Sequence, residues 1–117
     1  MQLIQKVGLP TEAFIQVLLE KLIKALTYLS KKDIIHRDLK LENIMVKNPY
    51  SKNPQPVIID FGLSEYADGN GVTFIRCGTP GYIAPEVLNN EESLEINTMK
   101  HTKASDVFAI GVILYIM

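Results

Sequence analysis

Eight consecutive residues, His36-Arg37-Asp38-Leu39-Lys40-Leu41-Glu42-Asn43, constrain this chain more than any other stretch. Most of their side chains are polar, yet they lie between two short apolar runs, Ile34-Ile35 and Ile44-Met45-Val46. Runs of this β-prone kind read as strands, so the polar segment reads as a loop gripped at both ends. A third run, Val57-Ile58-Ile59, leads straight into Asp60-Phe61-Gly62. Residues 47–56, between the second and third runs, carry three Pro and two Asn. That composition marks a turn-rich loop, longer than most hairpin connections.

Helical patterning stands on either side of this β region. Phe14, Leu18, Leu22, Ala25 and Leu29 recur at three- and four-residue intervals. The spacing predicts a helix from Thr11 to about Leu29, with Thr11 as N-cap after Pro10. Ile15, Leu19, Ile23 and Leu26 widen the apolar stripe, so most of this helix is expected to be buried. Ser105-Asp106 are expected to open a final helix. Residues 107–117 form the longest apolar run, too short to span a bilayer, and read as a buried helix. Residues 68–71 read as a flexible patch. Residues 89–101 are polar, and His101 is expected on the surface.

Composition narrows the class. At 117 residues the chain is at most one small domain. Its hydrophobic share of 47 % excludes disorder. The net charge of −1 implies no general attraction to nucleic acid or to anionic membranes, so neither partner is expected. Cys77 is the single cysteine, so there is no internal disulfide. A reducing, cytoplasmic setting is the expectation.

Residues 36–43 fit the pattern H-R-D-L-x-x-x-N, and Asp60-Phe61-Gly62 and Ala84-Pro85-Glu86 follow in order. Five fixed residues of the first motif alone would arise by chance at roughly one position in three million, at about 1/20 per residue. The three motifs together resemble the eukaryotic protein kinase family, and the resemblance covers nearly the whole chain. It implies an α+β fold: a mostly helical kinase-like C-lobe fragment with a short β-hairpin around the catalytic loop. Residues 1–117 are then a partial protein kinase domain. None of the 35 residues before His36 reads as G-x-G-x-x-G or V-A-I-K. The N-lobe and the C-terminal helices are expected to lie outside this sequence, and the 117 residues alone are expected to be inactive.

The resemblance also implies roles. Asp38 is the catalytic carboxylate that orients the attacking hydroxyl and accepts its proton. Lys40, two positions on, points to the same side of an extended loop. It is implied as a catalytic cation that binds the phosphate. Asn43 and Asp60 offer hard oxygens suited to Mg²⁺ and are implied as metal and nucleotide ligands. The implied cofactors are ATP and Mg²⁺, and the implied partners are a protein substrate and the N-lobe of the parent protein. His36 is implied as structural, Phe61 as packing, and Gly62 as the residue that permits a sharp turn. Asp106 is implied to accept backbone N–H bonds near His36 and Arg37.

Lys40 and Gly78-Thr79-Pro80 resemble Ser/Thr kinases, with the Thr79 hydroxyl bonded to Asp38 and Lys40. Cys77 and Val87-Leu88 add a likeness to the calmodulin-dependent group. Glu42 stands where kinases that prefer basic substrates recognise an Arg. Arg37 is the residue that pairs with an activation-segment phosphate in kinases of this type. The usual phosphosite falls on Ile75, which cannot carry phosphate, so Thr73 is its substitute. The rival reading from another class is a truncated, non-catalytic interaction module.

Overall fold

The computed structural model describes residues 2–3, 10–68, 77–88 and 101–117. Thr73, Ile75 and residues 89–100 lie outside the described residues, as does most of the patch expected at 68–71. The elements run β1 (Gln2–Leu3), α1 (Glu12–Lys31), β2 (Ile34–Ile35), a 3-10 turn (Leu41–Asn43), β3 (Ile44–Lys47), β4 (Gln55–Ile58), β5 (Glu65–Tyr66), α2 (Pro85–Leu88) and α3 (Lys103–Ile116).

Thr11 caps α1 as the sequence predicts: its Oγ1 accepts the Phe14 N–H at 3.3 Å. Leu18, Leu22 and Leu29 are buried along one stripe. The stripe is narrower than expected, because Ile23 is 51 % exposed. α1 packs on β2, β4 and α3, while Ile23 lines an apolar groove between α1 and α3 with Leu19, Leu26, Val107 and Leu114.

The helix ends where Lys32 N–H bonds the carbonyls of Tyr28 and Leu29. Asp33 then takes a left-handed conformation (φ 56°) and turns the chain into β2. β2 pairs antiparallel with β5, Ile34 opposite Tyr66. β3 is central in a second antiparallel sheet of order β1-β3-β4, with Ile44 opposite Ile58. Strand alternation buries Ile44 and Val46 and turns Lys47 out. The loop joining β3 to β4 begins at Asn48, also left-handed (φ 51°), and is pinned by Lys21, whose Nζ donates to the Pro54 carbonyl at 2.7 Å.

α3 begins earlier than Ser105. Thr102 is its N-cap, accepting the Ala104 N–H at 3.2 Å, while Ser105 Oγ accepts the Thr102 N–H at 2.9 Å. This reciprocal box makes Ser105 the third helical residue instead of the cap. Ala109, Ile110 and Ile113 of α3 join Leu18 and Leu22 of α1, Leu39, and Ile44 and Val46 of β3 in the core. The other faces of α3 stay apolar but open: Val107, Phe108, Leu114, Tyr115 and Ile116 are exposed. No helix among the described residues is long and apolar enough to cross a membrane.

Candidate active site

The polar loop between β2 and β3 is held from beneath by one carboxylate. Asp106, in the first turn of α3 and 4 % exposed, accepts the His36 N–H at 2.7 Å and the Arg37 N–H at 3.0 Å. Burial pushes its carboxyl above the usual range, and these two backbone bonds pull it back. The sequence expectation for Asp106 matches this geometry.

Arg37 sits in the left-handed region (φ 69°), a strain on the order of 1 kcal/mol for a residue with a Cβ. Its surroundings hold it there. Besides the Asp106 bond, its Nε donates to the Leu63 carbonyl at 2.5 Å and its Nη1 to Glu65 Oε2 at 2.6 Å. The segment after Asp60-Phe61-Gly62 is thereby fastened to the loop. Glu65 carries no motif and was not legible as a partner, because β5 brings it there only in three dimensions.

His36 is fully buried. Its Nε2 lies 3.1 Å from the Ile59 carbonyl, and its Nδ1 accepts the Asp38 N–H at 3.3 Å. A carbonyl accepts only, so Nε2 carries the proton and the ring is neutral with both nitrogens used. Phe61 meets it edge-on, ring centroids 4.8 Å apart. Phe61 is therefore half-exposed packing over His36.

Asp38 is the convergence point. Thr79 Oγ1 donates to its Oδ1 at 2.6 Å. Lys40 Nζ lies 3.0 Å from its Oδ2, which also accepts Asn43 Nδ2 at 3.3 Å. Lys40 Nζ donates in turn to Thr79 Oγ1 at 2.8 Å, closing a three-membered cycle. Burial alone would raise the Asp38 carboxyl; the bonds from Thr79 and Lys40 and the lysine charge outweigh it and hold the group below its ordinary value.

Thr79 reaches this position because Gly78 allows it. Gly78 has φ +109°, and a Cβ there would lie 2.9 Å from the Arg37 carbonyl oxygen. Only glycine tolerates both the conformation and the close approach.

Asn43 Nδ2 also donates to the Asp38 carbonyl at 2.9 Å, which leaves the amide oxygen as the free end. The Ile59 N–H bonds the Asn43 carbonyl at 2.9 Å, so Asp60 follows directly beside Asn43. The sharp turn here belongs to Asp60 itself (φ 61°), whereas Gly62 serves to avoid crowding: a Cβ on it would lie 3.1 Å from Asp60 Oδ1. Asp60 Oδ1 accepts the Gly62 N–H at 3.2 Å, and the residue is exposed. All four predicted site residues, Asp38, Lys40, Asn43 and Asp60, thus lie on the loop and the end of the adjoining hairpin.

His101 departs from expectation. It is 8 % exposed, not a surface residue, and its Nε2 lies 3.1 Å from the Cys77 carbonyl. Its polar neighbours in sequence hid this; no periodicity marks a lone buried imidazole.

A family model described as a protein kinase domain matches residues 1–117. Serine/threonine-protein kinase 33 of Mus musculus is 39 % identical over 110 residues, covering 87 % of this chain and 21 % of the relative. Calcium/calmodulin-dependent protein kinase type 1 of Macrobrachium nipponense is 39 % identical over 110 residues, 94 % of this chain and 29 % of the relative. A probable myosin light chain kinase of Dictyostelium discoideum is 37 % identical over 107 residues, 92 % of this chain and 33 % of the relative. The chain therefore spans between 21 % and 33 % of the length of these relatives.

Proposed function

This chain belongs to the protein kinase family, and from that premise we propose that it is the catalytic C-lobe segment of a serine/threonine kinase. The reaction is transfer of the γ-phosphate of ATP to a Ser or Thr hydroxyl of a protein. The observation that carries this reading is the Asp38–Thr79–Lys40 cycle, with contacts of 2.6, 2.8 and 3.0 Å. It fixes a carboxylate and a cation side by side, the pair that a hydroxyl nucleophile and a phosphoryl group require.

Asp38 in this reading orients the hydroxyl and takes its proton. With its carboxyl held below the ordinary range it is a weak base. Its contribution is then mostly alignment, with the proton arriving late. Lys40 neutralises charge on the transferring group while its bond to Thr79 limits its freedom. Asn43 and Asp60 fit a magnesium ion. They present one neutral and one anionic oxygen at one end of the hairpin, and Mg²⁺ takes few protein ligands and completes its shell with water and phosphate. Bound there, Mg²⁺ would supply neutralisation of the phosphate oxygens. The likeness to calmodulin-dependent kinase relatives supports a protein substrate.

The test uses the protein carrying this chain, labelled ATP, and matched Ser, Thr and Tyr peptides. Asp38→Asn is expected to lower kcat by about 10²–10⁴-fold, the usual worth of a positioned acid–base group, with the melting temperature nearly unchanged. Asp60→Asn is expected to raise the Mg²⁺ concentration needed for half-maximal rate. Near-normal turnover in Asp38→Asn, or preference for the Tyr peptide, would remove the reading.

A further inference from the structure

The foot of α3 touches the active site twice, and only one touch is explained by Asp106. The other is His101, one residue before the Thr102 cap. Its Nε2 meets the Cys77 carbonyl at 3.1 Å, two residues before Thr79. A closed path results. Asp106 holds the N–H groups of His36 and Arg37, Asp38 follows them, Thr79 bonds Asp38, and Cys77 returns through His101 to α3.

We propose that His101 is a positioning residue for the transfer reaction: its neutral imidazole ties the Cys77 carbonyl to the foot of α3, closing this ring of bonds around Asp38. The assignment of the ring's purpose rests on the phosphotransfer reading of Asp38; the state of the imidazole does not.

The chemistry of the two nitrogens carries the inference. The Cys77 carbonyl only accepts, so Nε2 must bear a proton. Nδ1 is buried and has no hydrogen-bond partner among the described residues. As a bare lone pair it forfeits one hydrogen bond with water. As an N–H of a cation it would be a buried charged donor with no acceptor among the described residues, a far larger penalty. The neutral form is therefore the one that fits.

The charged neighbours agree. Arg37, on the catalytic loop, opposes a second cation. Asp106 on α3 and Glu65 on β5 favour one, but Asp106 accepts the two loop N–H groups and Glu65 is paired with Arg37 at 2.6 Å. The Cys77 thiol supplies no anion, since burial pushes its pKa up. Burial is the largest influence on His101 and lowers its pKa from the ordinary 6.5.

The first measurement is imidazole ¹⁵N NMR of the histidine-labelled protein carrying this chain, with His101 assigned by His101→Gln. The Nε2–H tautomer at neutral pH, titrating below 6.5, is expected. An Nδ1–H tautomer, or a midpoint at or above that value, overturns the assignment. The second is kcat of the wild type and two variants at pH 7.5. His101→Gln keeps an N–H donor for Cys77 and should hold kcat within about threefold of the wild type. His101→Phe, with no donor, should lose roughly tenfold in kcat through misplacement of Thr79, with KM for ATP unchanged. If His101→Gln loses as much kcat as His101→Phe, or His101→Phe keeps full kcat, the positioning role is wrong. If Asp38→Asn keeps full activity, the phosphotransfer reading fails while the NMR outcome stands by itself.

Discussion

The catalytic-loop side and the α1–α3 outer side of this molecule meet their needs in opposite ways. Around Asp38, buried and half-buried polar groups find partners on segments that are distant in sequence: Asp106 with two N–H groups, Arg37 with Leu63 and Glu65, Thr79 with Asp38 and Lys40. On the outer side, Ile23, Val107 and Leu114 line an apolar groove of about 800 Å³ and are all exposed. Unpaired buried polar groups are costly, so a polar site must find partners within hydrogen-bond reach to exist at all. An apolar face carries no such local condition; water tolerates it until something covers it. The site is thus specified by directed hydrogen bonds that join distant segments, while the surface behind it invites contact.

The sharpest way to break the comparison is to remove the anchor of the polar side. Asp106→Ala leaves the His36 and Arg37 N–H groups buried without an acceptor. Losing two such bonds is expected to cost about 2–5 kcal/mol, partly offset because a desolvated carboxylate is removed as well. That is a large share of the 5–15 kcal/mol typical of a whole domain. Denaturant titration of the protein carrying this chain should show the midpoint shift, together with loss of activity. A loss under about 0.5 kcal/mol, ordinary for a surface change, would mean that the loop holds itself and the anchor is dispensable.

The same contrast explains what could be read from sequence. The four residues Asp38, Lys40, Asn43 and Asp60 were legible because they stand in the motifs His36–Asn43 and Asp60–Gly62 that carry the resemblance. Asp106 and Thr79 were legible through their motifs. Glu65 and His101 were not, because neither stands in a motif, and their bonds to Arg37 and Cys77 depend on how β5 and the start of α3 are placed. Thr102 was passed over as a cap because Ser105 offers the same chemistry three residues later; only the reciprocal bonds separate cap from third residue. Ile23 was misread for a related reason. Helical periodicity reports which residues share a face, and a face that is apolar need not be a face that is covered.

A second test bears on the open side. Val107 and Leu114 are 62 % and 41 % exposed. Val107→Lys with Leu114→Lys should leave the polar side untouched and reduce self-association of the 117-residue chain. Keeping these two side chains from being buried between copies removes about 2 kcal/mol of association, roughly thirtyfold in a dissociation constant. Sedimentation velocity over a concentration series measures it. A wild-type chain that stays monomeric at the highest concentration would show that the apolar face is not adhesive, and the contrast with the polar side would lose its consequence.

The smallest effect sharpens the claim that a polar backbone group must find a partner. Thr11 caps α1 through one side-chain bond to Phe14 N–H at 3.3 Å, and the residue is exposed. The bond replaces one that water could make, so its value lies in fixing where the helix starts. Thr11→Ala should cost about 1 kcal/mol, the usual worth of a cap. Glu20→Gln, in contrast, breaks an i,i+4 ion pair with Lys24 at 2.5 Å, a shorter contact on the same helix. Both of its members are largely in solvent, the attraction is screened, and holding two long side chains together costs entropy. No resolvable change is expected from Glu20→Gln in a melt that resolves Thr11→Ala. The reverse order would mean that contact length, not the satisfaction of an orphan backbone donor, sets the stability of α1.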